Sequence, residues 1–254
     1  MGRTKWLTSR LRTFKESPLY LLKYLEKVKY SLVSSLSPIR CLDLARFLSN
    51  KTRENEVWLP FNWIKPGSTP LADLLALALL TKVRNPKVVF EIGTFEGMTA
   101  VLFAKNGGER CSIFTLDLPQ QDDLPRTAAS YEDQSVNIQY KSGYLISELG
   151  CNEQATRLFG DSALFDFGPY IDAVDLFFVD GAHSERYVIR DTLSAFKSIK
   201  PDGWVVWHDC LVPQVAKVIK KIARYQPVYH LRDTNLSFTL QKPGNDFPWN
   251  LLEG

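Results

Sequence analysis

At 254 residues, with 45% hydrophobic and 12% aromatic content, the chain can bury one sizeable core and is too short for two full domains of ordinary size. Its net charge of +3 is concentrated at one end: residues 1–31 carry eight Lys/Arg against Glu16 and Glu26, a local +6 that leaves the remainder at −3. That distribution argues against a nucleic-acid surface spread over the domain, so no nucleic-acid partner is expected.

Residues 5–35 alternate apolar clusters (Trp6, Leu7, Leu11, Phe14, Leu21, Leu22, Leu25, Val28) with Lys/Arg at helical spacing, interrupted at Ser17-Pro18. The pattern predicts two basic amphipathic helices. They would cover a site, dock a second subunit or lie on a membrane surface, and periodicity does not choose among these. A solvated helix face is the plainer reading. The N-terminus is basic without an uninterrupted apolar run, which argues against secretion; its Arg/Ser content leaves an organellar transit peptide as a minor reading. Cys41, Cys111, Cys151 and Cys210 form no C-x-x-C pair, which disfavours a zinc site or disulfide framework and favours a cytoplasmic setting.

The stretch from Pro60 to Pro70 reads as a loop closing an extension over residues 1–70, and a single domain is expected over 71–254. Leu71–Thr81 is predicted as a core helix, because its apolar run is far short of the ~20 residues that span a bilayer and contains Asp73. From Val88 strand and helix patterns alternate, which implies parallel strands joined by right-handed crossovers. Strands are predicted at 88–92, 112–116, 157–159, 174–179, 204–207, 228–231 and 236–241, and helices at 98–105, 184–198 and 214–225. The last two strands are separated by only Arg232 to Asn235, too short for a crossover, so they must pair antiparallel. The expected fold is α/β: a Rossmann-like, seven-stranded, mostly parallel sheet with a closing antiparallel hairpin, helices on both faces and an N-terminal helical extension. Residues 118–156 are polar and long for a connection, and are read as an insertion over a substrate.

Ligands bind outside the carboxyl ends of strands in such sheets, so the polar residues there carry the functional signal. Val88-Val-Phe-Glu91-Ile-Gly93-Thr94-Phe-Glu-Gly97 closes an apolar run on an acid and two glycines, leaving backbone free to approach a ligand. Its G-x-x-x-G spacing departs from the dinucleotide fingerprint, and no Lys-Ser/Thr follows the second glycine as a P-loop requires. Nicotinamide and triphosphate chemistry are thereby disfavoured. After the second predicted strand stands Asp117, which could accept both hydroxyls of a ribose or merely cap a loop. After the third comes Gly160-Asp161-Ser162, a triplet that alone is a common turn. After the fourth, Phe177-Phe-Val-Asp180-Gly-Ala-His183 sets a carboxylate and an imidazole three residues apart, and after the fifth His208-Asp209 repeats the pair in reverse order. A lone histidine there would more often be a satisfied hydrogen-bonding group, but two acid–histidine pairs on neighbouring strands point to acid–base or metal chemistry.

The segment around Glu91, Gly93 and Gly97 resembles the first motif of class I S-adenosylmethionine-dependent methyltransferases. Phe177 through Leu193, Lys200-Pro-Asp-Gly203 and His208-Asp209 resemble the bacterial and natural-product O-methyltransferases of macrolide sugars and cephalosporins, over about residues 85–242. The resemblance implies S-adenosylmethionine as cofactor, held by Glu91, Gly93, Thr94, Gly97, Asp117, Asp161, Ser162 and Asp180. It implies that Asp180 and the following acidic pair bind a divalent metal, and that His183 acts as base. Here the pair reads His208-Asp209, so one oxygen donor is replaced by imidazole, which either suits a transition metal better than magnesium or leaves His208 outside the ligand set. The expected activity is O-methylation of a small hydroxylated acceptor, a sugar or secondary metabolite, by His183 with Asp180, with a metal at Asp180, His208 and Asp209. N- or carboxyl-methylation is the rival within enzymes, and a catalytically degenerate methyltransferase fold serving as an interaction module is the rival outside them. The sequence leaves the acceptor, peripheral membrane contact through the basic extension and homo-oligomerisation open.

Overall fold

The computed structural model describes residues 38–43, 56–64, 68–119, 141–244 and 247–251. The basic amphipathic helices read over 5–35 and most of the 118–156 insertion lie outside them. Strand β1 (Arg40–Leu42) is followed by α1 (Leu71–Arg84), β2 (Val88–Ile92), α2 (Met98–Asn106), β3 (Ser112–Asp117), α3 (Tyr144–Glu148) and β4 (Ala155–Phe159). Then come β5 (Val174–Val179), α4 (Glu185–Ser198), β6 (Ile199–Trp207), α5 (Pro213–Ile222), β7 (Tyr229–Leu231) and β8 (Ser237–Thr239). The sheet order is β1-β7-β8-β6-β5-β2-β3-β4. Only β8 runs against its neighbours, pairing antiparallel with β6 and β7, as the short link after Leu231 demands.

The sheet has eight strands where seven were expected, because Arg40–Leu42 adds a parallel edge strand to β7. Three residues are too few to show a period, which is why the pattern missed it. Most predicted boundaries hold within about two residues. The larger shifts are at the start of β6, which begins at Ile199 rather than Trp204, and at the ends of α1 and α5, which reach Arg84 and stop at Ile222.

Strict alternation along the central strands feeds two cores. Val89, Leu176, Phe178, Trp204 and Val206 face one layer with α1 and α2, where Leu74, Leu77 and Phe103 are fully buried. Phe90, Phe177, Val179, Val205 and Trp207 face the other, against Phe196 of α4 and Ile219 of α5. Each buried aromatic stabilises by roughly 2–3 kcal/mol, so a one-residue slip of any central strand would reverse both layers at once. At the amino ends of the strands a largely buried carboxylate locks the register: Asp175 accepts the Lys87 and Val88 N–H groups at 2.9 Å each and Lys200 Nζ at 2.8 Å. Burial works against that charge, but the Lys200 ammonium and the two amides outweigh it and hold the carboxyl below its usual range.

Candidate functional site

All the polar residues singled out in the sequence lie at the carboxyl edge of β2 to β6. The β2 loop turns through Gly93 at φ +98°, and a Cβ there would fall 2.0 Å from the Asp180 carbonyl oxygen. Glycine is therefore required by contact between the β2 and β5 loops, which sets Asp180 against the loop. Gly97 at φ +91° starts α2, and a Cβ there would lie 3.0 Å from Gly143 Cα. Gly143 in turn donates its N–H to the Phe95 carbonyl at 2.7 Å. The end of the expected insertion is thus a structural part of the domain: α3 props the β2 loop from beneath.

Glu91 is fully buried. Thr99 Oγ1 donates to one of its carboxylate oxygens, and Thr115 Oγ1 donates to the other at 2.5 Å. Thr94, also buried, bonds Thr115 through the hydroxyls at 2.6 Å. Burial pushes the Glu91 carboxyl up to about 8 despite these hydrogen bonds. Glu91 and Thr94 thus tie β2, β3 and α2 together beneath the loop.

Asp117, at the end of β3, accepts the Leu118 N–H at 2.9 Å and Ser142 Oγ at 2.7 Å, with a further backbone bond from Phe95. Burial still raises its carboxyl above the usual range. A carboxylate offers about four acceptor positions, so it retains capacity for a ligand hydroxyl. Beyond β4, Asp161 accepts the Ala163 N–H at 2.9 Å and Tyr187 O–H at 3.0 Å. Asp191 was not anticipated. It is fully buried beneath Gly181 with neither carboxylate oxygen hydrogen-bonded, and its carboxyl is pushed up to about 7 chiefly by desolvation.

The two acid–histidine pairs do converge, with a partner the sequence reading did not assign. His183 Nε2 lies 2.8 Å from Asp209 Oδ2, and the His183 side chain is 41% exposed, open to a small acceptor. His208 is buried, with Nε2 at 3.0 Å from Asp73 Oδ2 on α1 and Nδ1 at 3.0 Å from Asp180 Oδ1 and 3.2 Å from Asp209 Oδ2. Asp73, itself buried, also accepts the Asn235 backbone and side-chain N–H groups at 2.9 and 3.0 Å, anchoring α1 to the β7–β8 turn. The signal for it was a lone acid inside the apolar run 71–80. Asp209 sits at φ +48°, a left-handed conformation that only surrounding bonds sustain.

These contacts set the charge states. Burial disfavours a charged His208, but Asp180, Asp209 and Asp73 outweigh it and raise the imidazole far above its ordinary value. Burial likewise opposes ionisation of Asp209, yet the hydrogen bonds from His183 and His208 hold it well below the usual carboxylate range. Asp180 is raised by desolvation, with His208 opposing.

Asp180, His183 and Asp209 each offer one ligand atom within 4.8 Å of the others, a set that could hold a metal. His208 Nε2 is hydrogen-bonded to Asp73, whereas Nδ1 faces the Asp180 and Asp209 carboxylates without a hydrogen bond of its own. The donors of Asp180, His183 and Asp209, two carboxylates and an imidazole, are of the kind that would hold a divalent ion.

Residues 90–210 match the model of a family described as a methyltransferase domain. None of the curated proteins matches the chain in sequence. Among solved structures, an S-adenosylhomocysteine-bound methyltransferase of Podospora anserina is similar, with TM-score 0.53, 10% identity and coverage of 78% of this chain and 94% of that one. An O-methyltransferase from Bacillus cereus in complex with S-adenosylhomocysteine has TM-score 0.50, 13% identity and coverage of 77% and 94%. An O-methyltransferase from Streptomyces achromogenes involved in tomaymycin synthesis, in complex with S-adenosylmethionine, has TM-score 0.50, 17% identity and coverage of 86% and 96%. Residues 90–210 are thus similar to a methyltransferase domain, and the sheet has the Rossmann-like α/β fold of these methyltransferase structures.

Proposed function

We propose that the protein transfers a methyl group from S-adenosylmethionine to a hydroxyl of a small acceptor, with His183 as general base. The observation that carries this is the His183–Asp209 pair at 2.8 Å, half-open to solvent, beside the Asp180 that touches the Gly93 loop.

The cofactor supplies a methyl already activated on a sulfonium, so the protein's work is alignment and proton removal. Gly93 and Gly97 shape the loop against which the cofactor would lie, with Glu91 and Thr94 holding that loop from below. Asp117 would accept ribose hydroxyls, and Asp161 and Ser162 would face the adenine. With its Nε2–H donated to Asp209, His183 carries its basic lone pair on Nδ1, and Asp209 stabilises the imidazolium that forms when the acceptor proton is taken. Asp180 places this pair near the methyl end of the cofactor. The sequence resemblance to natural-product O-methyltransferases, and the O-methyltransferases among the structural neighbours, support a hydroxyl acceptor over a nitrogen or carboxylate one.

The test is transfer of labelled methyl from S-adenosylmethionine to a panel of sugars, phenols and aliphatic alcohols. His183→Ala should lower turnover by about 10²–10⁴-fold, the usual contribution of a positioned base, with little change in cofactor affinity. Equal loss of both, or unchanged turnover, would remove His183 from that role.

A further inference from the structure

Helix α4 starts just after His183 and grips the loop that follows β4 with two side chains on one of its faces. Tyr187, only 3% exposed, donates its O–H to Asp161 Oδ2 at 3.0 Å. Arg190 donates from Nη1 to the Ala163 carbonyl at 3.3 Å. The loop is otherwise closed on itself. The Asp161 carbonyl accepts the Leu164 and Phe165 N–H groups at 2.9 and 2.8 Å, and Asp161 Oδ1 accepts the Ala163 N–H at 2.9 Å. Both carboxylate oxygens are therefore fixed, one by the turn itself and the other by a buried phenol. Asp161 is only half-buried, and a carboxylate has about four acceptor positions, so about two remain, held in one orientation.

That arrangement is chemically selective. A carboxylate accepts hydrogen bonds and donates none, so it pairs with an amino group and repels a carbonyl oxygen. A purine with an exocyclic amino group satisfies it, whereas an oxo group in that place sets acceptor against acceptor. The plane of an aspartate carboxylate is otherwise loosely set, because its terminal torsion is broad. Without the phenol, Oδ2 loses the partner that fixes this plane. We infer that Tyr187 is a specificity-determining positioning residue, which through Asp161 makes the β4 loop select a 6-amino purine over a 6-oxo purine. Tyr187 acts only through the carboxylate. The inference rests on the proposed binding of S-adenosylmethionine at this sheet edge, since its adenine carries the amino group.

The test is calorimetric titration with S-adenosylhomocysteine and with its deaminated form, S-inosylhomocysteine, in which an oxo group replaces the amino group. The wild type should bind the amino form more tightly by about tenfold to a hundredfold, the cost of leaving an oriented acceptor unpaired. Tyr187→Phe removes one hydroxyl and keeps the ring, and the preference should fall by about tenfold, chiefly through weaker binding of the amino form. Asp161→Ala should abolish the preference. Tyr187→Phe added to Asp161→Ala should change neither affinity further, because the phenol then has nothing to orient. A tyrosine with a merely structural role would instead lower both affinities alike, with or without Asp161. Circular dichroism checks each fold, and Tyr187→Met, a flexible apolar side chain without a donor, replaces a phenylalanine variant that does not fold. Equal affinity of the wild type for the two ligands, an unchanged ratio in a folded Tyr187 variant, or additive losses in the double variant would each overturn the inference while leaving the cofactor assignment intact. A folded wild type that binds neither ligand would remove the S-adenosylmethionine reading itself, and this inference with it.

Discussion

Glu91 provides the most quantitative expectation. Its carboxyl lies at about 8 in the folded protein against 4.5 as a free side chain. The folded state therefore keeps a proton that the unfolded chain releases above pH 4.5. For a raised value the stabilising contribution is complete below the unfolded pKa, falls as pH rises and is gone above the folded one. At about 1.4 kcal/mol per pKa unit, the window from 4.5 to about 8 corresponds to roughly 5 kcal/mol of stability lost between mildly acidic and mildly alkaline solution. Glu91→Gln removes the titration while keeping the shape. It should lose about 1 kcal/mol at pH 5, where the amide carries one N–H more than the carboxylic acid it replaces, and gain on the wild type at pH 8 and above. The assay is urea unfolding of both proteins at half-unit steps from pH 5 to 9, with the difference between the two stabilities plotted against pH. A difference that rises through this window supports a buried neutral acid. A flat difference would refute it, because it would mean that Glu91 ionises in the fold as readily as outside it. Cofactor affinity should change by less than about tenfold, since the carboxyl is engaged by Thr99 and Thr115.

At the opposite end of the strands, Asp175→Ala should destabilise by about 3 kcal/mol at neutral pH, measured by denaturant unfolding, without changing cofactor affinity. Because the Asp175 carboxyl is held below its usual range, its contribution is present above the unfolded value of 3.8 and is lost as pH falls below it, so the two proteins should converge in acid. Gly93→Ala puts a Cβ on the Asp180 carbonyl at a positive φ, and should lose about 3 kcal/mol or more in the same assay together with cofactor binding; wild-type affinity in this variant would contradict the loop contact.

Periodicity was enough for the central layers, because Val88–Ile92 and Val174–Val179 are buried on both faces and their composition admits little but a parallel strand. It failed where structure is set by partners instead. Arg40–Leu42 becomes a strand only because β7 offers an edge, and Tyr144–Glu148 becomes helical against Gly97 within a stretch whose composition reads as loop. The same division runs through the site. Asp117, Asp180, His183 and Asp209 were legible because strand ends are few and polar residues there stand out. Asp73 and Asn235 were not, since Asp73 reaches His208 from 135 residues away in sequence and Asn235 reaches Asp73 from 162, and no local pattern records that. The role of His208 depends on which atoms face each nitrogen, and only coordinates give that.

The claim that this sheet edge receives S-adenosylmethionine is tested most directly by calorimetric titration of the cofactor into the wild-type protein and into Asp117→Ala. Saturable one-to-one binding by the wild type is expected, weakened by about tenfold to a hundredfold when the ribose-facing carboxylate is removed. No binding by the folded wild type at millimolar cofactor, or equal affinity in the two proteins, would contradict it.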